Sequence, residues 1–551
     1  MKLIGALFFF ILIAPMVQAQ HYSPPADALH ALDGLTQASL VVHIRFLSSD
    51  LLEGRAPGTR GDLLTRSYIA SQMELLGLRP GGDDGTFFQH VPLIAMKSDP
   101  SATILVRGKG STLELKFGDD FVGFTGNQKP EVVLKDAEAI FVGYGIVAPE
   151  QQWDDFKGVD MRGKVLIMLN NDPATDDPGL FAGKARTYYG RWTYKYEIAA
   201  RKGAAGAIII HTTPSASYGW NVVRNSWSGE RSELTLRPDE PTTAFKGWTT
   251  FEATAKMLDL AGIPYDSLEA MAQSRSFHPV PLGILLSTTL RTRMKEIVTA
   301  NVIGVLPGSD SKVQDEAVLY TAHHDHFGIG HAVDGDSIYN GALDNATGVS
   351  AVLNIARTVA SLPQAPRRTM VFATVAAEEQ GLLGSQFLAA HPPFPPGKIV
   401  ANINVDALGV SGRTKDVILI GFGKSSLDAT VKSVAAWQGR VVQPDQFPEK
   451  GSFYRSDQLN FAKIGVPCMF LKSGLDVIGR PAGFGRKKDE EYTSLHYHQP
   501  SDEIRPDWDL SGTVEEIRLL FLVGLAVGNS ETVPVWNPGD EFEAARKASR
   551  K

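Results

Sequence analysis

The sequence predicts an α/β protein with a mixed central sheet covered by helices on both faces, interrupted by a second inserted unit. Three observations predict it. From about residue 295, short apolar runs at 301–306, 317–322, 370–375, 400–405, 417–420 and 466–471 alternate with helical stretches such as 346–361 and 381–390. Apolar runs of that length suit strands buried on both faces, and their alternation with helices suits crossover connections. A length of 551 residues exceeds one ordinary core. The stretch 136–290 changes character, with a strand–helix–strand order of its own and many Trp, Tyr and Gly residues.

In chain order, residues 1–19 read as a secretory signal peptide: Lys2, an apolar run over 3–13, then the small-residue end Val17-Gln18-Ala19. The run is short for a bilayer span, so a periplasmic or secreted location is expected, with no membrane span after cleavage. Residues 24–125 form the first part of the main body. Leu40, Val41, Ile44 and Leu47 recur at helical spacing, and an amphipathic run over 64–76 stops at Gly77. The inserted unit occupies 126–290: apolar strands at 139–142 and 165–169, a helix over 191–202, and a strand at 207–210. The main body resumes over 291–535, and 536–551 is a charged tail, expected frayed or helical.

Composition narrows the function classes. A net charge of −7 argues against nucleic acid or an anionic membrane as partner. The single cysteine, Cys468, sits in an apolar run and is expected to be a buried hydrophobe; it cannot make an internal disulfide.

The chemistry lies in a scatter of polar pieces: His323-His324-Asp325, Asp344-Asn345, Glu378-Glu379, Asp406 and Tyr497-His498. Three follow an apolar run, which places them at the carboxyl ends of strands where open α/β sheets bind ligands. Asp344 just precedes a helix, and His498 lies in a loop. Two imidazoles and three carboxylates can hold a pair of zinc ions, with one carboxylate left to move protons. Asp325 can steady the second nitrogen of His323. Neighbours in Glu378-Glu379 point apart, so one can bind metal while the other reaches a water. His324 and His326 read as wall residues.

These pieces resemble the M28 family of co-catalytic zinc aminopeptidases. The resemblance rests on Ala322-His323-His324-Asp325-His326, Gly341-Ala342-Leu343-Asp344-Asn345-Ala346-Thr347-Gly348, Ala377-Glu378-Glu379-Gln380-Gly381-Leu382-Leu383-Gly384-Ser385, Asn404-Val405-Asp406 and Tyr497-His498-Gln499-Pro500-Ser501-Asp502. It covers most of 295–525 and the helical segment near 40–80, and it implies the zinc exopeptidase fold. It further implies two zinc ions bridged by Asp344, with His323 and Asp406 on one and Glu379 and His498 on the other. Glu378 becomes the general base, Asp325 orients His323, and Arg455 and Tyr497 assist the oxyanion. Peptides are the implied substrates. The insert resembles a protease-associated (PA) domain, through the run Tyr188-Tyr189-Gly190-Arg191-Trp192-Thr193-Tyr194-Lys195-Tyr196-Glu197, with a lid or a packing module as its role. Gln458 and Leu343 depart from the family pattern and leave substrate preference open. A carboxypeptidase, dipeptidase or glutaminyl cyclase on the same fold is the alternative, and a non-catalytic binding protein on the same scaffold is a third reading.

Overall fold

The computed structural model describes residues 22–551 apart from Pro178 and Ser217; the expected leader, 1–19, lies outside them. Two sheets share one strand. In the first, Thr369–Val375, Ala317–His323, Ile399–Asn404 and Cys468–Ser473 run parallel in that spatial order. The C-terminal half of Val280–Leu306 flanks them antiparallel on one side, and Asp416–Ile420 does so on the other. The sheet is therefore mixed, as the alternation of apolar runs and helices predicts.

Every residue of Ala317–His323 is buried, because both faces are covered. Val318, Tyr320 and Ala322 point to a core built with helices Gln37–Leu47, Thr347–Ala360 and Ser511–Asn529. Ala317 and Leu319 point the other way, toward helices Leu383–Ala390 and Gln458–Lys463. This is the period-two alternation of a strand acting at full burial. Cys468 is buried in the second of these cores. No helix among the described residues is long and apolar enough to cross a membrane.

The second sheet carries its own core. Gly206–His211 lies parallel between Val165–Leu169 and Phe245–Thr250, with helix Trp192–Arg201 as the crossover. Thr103–Gly108 and Phe121–Thr125 also join this sheet, although they fall before residue 126. The lobe thus begins earlier than the composition shift suggests. Its far border is not a linker either. Val280–Leu306 is one strand of 27 residues, pairing with Glu131–Phe141 over 280–291 and with Phe88–Ser98 over 292–302.

The tail takes the helical of the two forms expected of it, over Glu543–Ser549, and is anchored. Trp536 and Phe542 are buried, and Arg546 within helix Glu543–Ser549 donates through Nη1 to the Ile399 carbonyl at 2.9 Å. Two aromatic anchors outweigh the solvation of the charges around them.

Candidate metal centre

The sheet delivers the donors to one place. His323 is the last residue of its strand, Glu378 and Glu379 follow Thr369–Val375, and Asp406 follows Ile399–Asn404. Asp344 stands in a tight turn before helix Thr347–Ala360. That turn needs glycine at 341: φ is +56°, and a Cβ there would meet the Asp344 carbonyl at 2.3 Å. Ala377, Ala407 and His498 also adopt left-handed φ of 55°, 53° and 59°. Strained backbone therefore sits beside or at three of the donors, as it does at built sites.

The geometry centres on Asp344. Its Oδ1 lies 3.0 Å from His323 Nε2, and its Oδ2 lies 3.5 Å from His498 Nε2. Asp406 Oδ1 is 3.5 Å from the same His323 nitrogen, and Glu379 Oε2 is 3.2 Å from the His498 nitrogen. Donor atoms of His323, Asp344 and Asp406 fall within 4.8 Å of one another, and so do those of His326, Asp344 and Glu379, with Asp344 common to both sets. Asp344 Oδ1, Glu379 Oε1 and His498 Nε2 are buried without a hydrogen-bond partner. Converging buried lone pairs are costly unless a cation fills the space between them, and imidazole with carboxylate is a donor set that zinc accepts. The residues fit a pair of metal ions.

The carboxylates dominate the electrostatics of the cluster. Burial opposes charge on His323, yet Glu378, Asp344 and Asp406 hold its imidazole well above the ordinary histidine range. Burial also opposes charge on Asp344, which His323 and His498 hold well below the usual carboxylate range. Glu379 resists burial and the nearby Asp344 to fall to about 2, drawn down by His498 and His326. Glu378 goes the other way. Burial, with Glu379, Asp457 and Asp406 beside it, pushes its carboxyl well above the usual range, against the pull of His323.

Two placements differ from the sequence reading. His326 is no mere wall residue, since its Nδ1 lies 2.7 Å from Glu379 Oε1, on the opposite oxygen from His498. His324 instead faces Asp62, 3.5 Å away. Asp325 does less for His323 than its spacing suggests: its Oδ1 is 3.8 Å from His323 Nδ1, which is nearer its backbone carbonyl at 3.3 Å. Its carboxylate accepts the backbone N–H of Glu378 at 3.0 Å and of Glu379 at 3.3 Å. Arg455 and Tyr497 both line the cavity with His323, Asp344, Glu378 and Asp406. The Tyr497 ring stacks on His498 at 3.7 Å.

Sequence reasoning missed the residues that hold these donors. Asp502 grips the second ligand turn as Asp325 grips the first, accepting the N–H of Leu343 and of Asp344, each at 3.0 Å. Tyr492 donates to the same carboxylate at 3.1 Å. Asn345 ties the Asp344 turn to the Asp406 turn, donating to the Val405 carbonyl and accepting from Ala407 N–H. Ser456 donates to Asp406 Oδ2 at 2.6 Å. Arg55 lies behind both turns, donating to the carbonyls of His324, Asn340 and Gly341. Asp502 and Asn345 had a legible signal, since both stand inside motifs that carry a ligand. Asp325→Asn or Asp502→Asn leaves an amide N–H facing a backbone N–H. Each is expected to weaken zinc binding about 10- to 100-fold, read by competition with a chromogenic chelator. Unchanged affinity in both variants would show that these acids do not set the turns.

Residues 301–522 match the sequence profile of Peptidase family M28. A 139-residue stretch is 30% identical to the aminopeptidase NAALADL1 of Mus musculus, covering 24% of this chain and 17% of that protein. A 208-residue stretch is 31% identical to a probable glutamate carboxypeptidase of Arthroderma benhamiae, covering 37% and 26%. The chain therefore spans about a quarter or less of the length of these curated relatives. Among solved structures, an aminopeptidase from Aneurinibacillus sp. strain AM-1 aligns over 91% of this chain and 95% of its own, at 20% identity and a TM-score of 0.46. With the donors gathered at the strand ends and the profile spanning them all, residues 301–522 form a peptidase family M28 domain.

Proposed function

We propose that this protein is an exported dizinc aminopeptidase that removes N-terminal residues from peptides. The observation that carries the reading is Asp344, whose two carboxylate oxygens face two separate imidazoles, His323 and His498. Asp406 completes the first donor group and Glu379 the second, with His326 on the free oxygen of Glu379. Two bound zinc ions supply Lewis acidity toward a scissile carbonyl and lower the pKa of a water to about 7.

The remaining work falls to side chains. Glu378 lines the cavity beside the donors and is free to take a proton from the attacking water and return it to the leaving amine. Arg455 and Tyr497 stand on the cavity wall, where donors can meet the developing oxyanion. The acidic floor suits the free amine of a peptide's N-terminus. Export rests on the leader-like residues 1–19.

Chelation is expected to abolish release of residues from unblocked peptides and to lower the thermal midpoint, and zinc to restore both. Hydrolysis that survives complete metal removal would sink the reading. A carboxypeptidase or dipeptidase remains the second reading, favoured by the likeness to a probable glutamate carboxypeptidase. N-acetylated and C-amidated peptides separate the two, since each blocks one end. A single zinc per chain would favour the cyclase.

A further inference from the structure

The cavity carries charges of both signs. Its floor carries Asp344, Glu378 and Asp406, and Arg455 stands on its wall. Behind Arg455 the inserted lobe closes in. Arg186 donates its backbone N–H to the Pro448 carbonyl at 3.3 Å. The Arg186 side chain also lies over Gly451, where an added Cβ would sit 3.1–3.4 Å from its carbons. Gly190 lets the chain pass the same side chain, since a Cβ there would meet Arg186 Cγ at 2.9 Å. The next residue is Arg191, whose Nε is buried with no hydrogen-bond partner.

Asp172 offsets part of the Arg186 charge from nearby, but none of the three guanidinium groups forms an ion pair among the described residues. Arg186 spends one Nη2 hydrogen on the Ser215 carbonyl at 3.2 Å. Among the described residues, neither Arg191 nor Arg455 makes a side-chain hydrogen bond or an ion pair. Burial and the charges of Arg455 and Arg186 press the Arg191 pKa down to about 10, while Tyr218 and Glu378 draw it up. Arg186 and Arg191 are partly buried and repelled by the exposed Arg455 on the cavity wall, and the unpartnered Arg191 is suited to an anion. Their forked donors match a carboxylate. The cavity, about 370 Å³, is of small-ligand size.

We propose that Arg191, with Arg455 and Arg186, forms a carboxylate-binding wall contributed largely by the inserted lobe. This rests on the peptidase reading and names its substrate class: peptides that present a free carboxylate on the far side of the scissile bond. Such a peptide lays its amine toward the acidic floor and its carboxylate on the guanidinium wall. The carboxylate is either the C-terminus of a very short peptide or an acidic side chain next to the cut.

The zinc-loaded full chain is tested on leucyl-leucine, leucyl-leucine amide, leucyl-aspartate amide and leucyl-asparagine amide. At least one carboxylate form is expected to exceed its neutral partner by about 10- to 100-fold in kcat/KM, chiefly through KM. A gain in the first pair assigns the carboxylate to the C-terminus; a gain in the second assigns it to the side chain. Arg191→Gln is expected to bring that ratio close to one, and Arg191→Lys to recover part of it; Arg455→Gln gives a second, independent reduction. Equal rates within both pairs, with hydrolysis intact, overturn the proposal and leave the peptidase reading standing. Calorimetric titration of the same peptides into zinc-loaded Glu378→Gln protein reads the ratio without turnover. The carboxylate preference is thus decided even if no peptide is cleaved, and absence of any cleavage by the zinc-loaded wild type would count against the peptidase reading alone.

Discussion

Replacing Glu378 with alanine is expected to lower kcat by about a hundred- to ten-thousandfold while zinc stays near two per chain. The split follows from how the two adjacent acids are held. Glu379 faces two imidazoles, His498 at 3.2 Å and His326 at 2.7 Å, and is committed to the donor cluster. Glu378 is fixed through its backbone, which donates to Asp325, and its carboxylate is bonded to no described residue. Burial and the surrounding carboxylates raise its proton affinity. The experiment pairs steady-state kinetics with metal analysis of the same sample. Loss of zinc along with activity would make Glu378 a ligand, and retained turnover would remove it from the chemistry.

Arg55→Ala carries the largest expected loss of stability, about 4 kcal/mol or more by denaturant titration. The guanidinium is 1% exposed and donates to four carbonyls: His324 at 2.8 Å, Leu47 at 2.5 Å, Gly341 at 3.0 Å, and Asn340. An unpaired buried carbonyl costs about 1–3 kcal/mol, and alanine leaves several. The charge matters as well as the bonds. Burial lowers the Arg55 pKa to about 10, and Asp325, Asp502, Asp344 and Glu379 all act to hold it charged. Arg55→Lys is expected to rescue little, because an ammonium cannot reproduce a planar fork spread over separate carbonyls. Two of those carbonyls belong to His324 and Gly341, next to ligand-bearing turns, so zinc affinity falls with stability. A loss under about 1 kcal/mol would mean that water replaces the guanidinium at little cost.

Arg55 also marks where legibility stopped. Three of the pieces could be read because each follows an apolar run, ending in His323, in Glu378-Glu379 or in Asp406. Chemistry at strand ends leaves its trace within a few residues. Arg55 acts on His324 across 269 positions, and nothing local to its turn points there. His324 and His326 fail for the opposite reason. They flank the same motif, but strand alternation and the turn beyond the strand send one to Asp62 and the other to Glu379. Asp325 was assigned by spacing to an imidazole, yet two backbone N–H groups lay within better reach. The lobe border is hidden because the second core begins at Met96, before composition shifts, and the sheet changes partner within a single strand.

That strand sets how the molecule can move. A linker between lobes is a hinge, but Val280–Leu306 passes from Glu131–Phe141 to Phe88–Ser98 without a break at Arg291–Thr292, its register shifts lying farther back, between Pro281 and Thr288. Tilting one lobe against the other would have to bend or unzip it, and Arg231–Leu234 braces the joint from the far edge of Phe88–Ser98. Lys463, bonded to Glu197 at 2.8 Å, adds a second tie between the lobes. The span between the guanidinium wall and the acidic floor is then fixed when the chain folds. On the proposed reading, a peptide whose amine and carboxylate do not match that span is expected to be cleaved poorly.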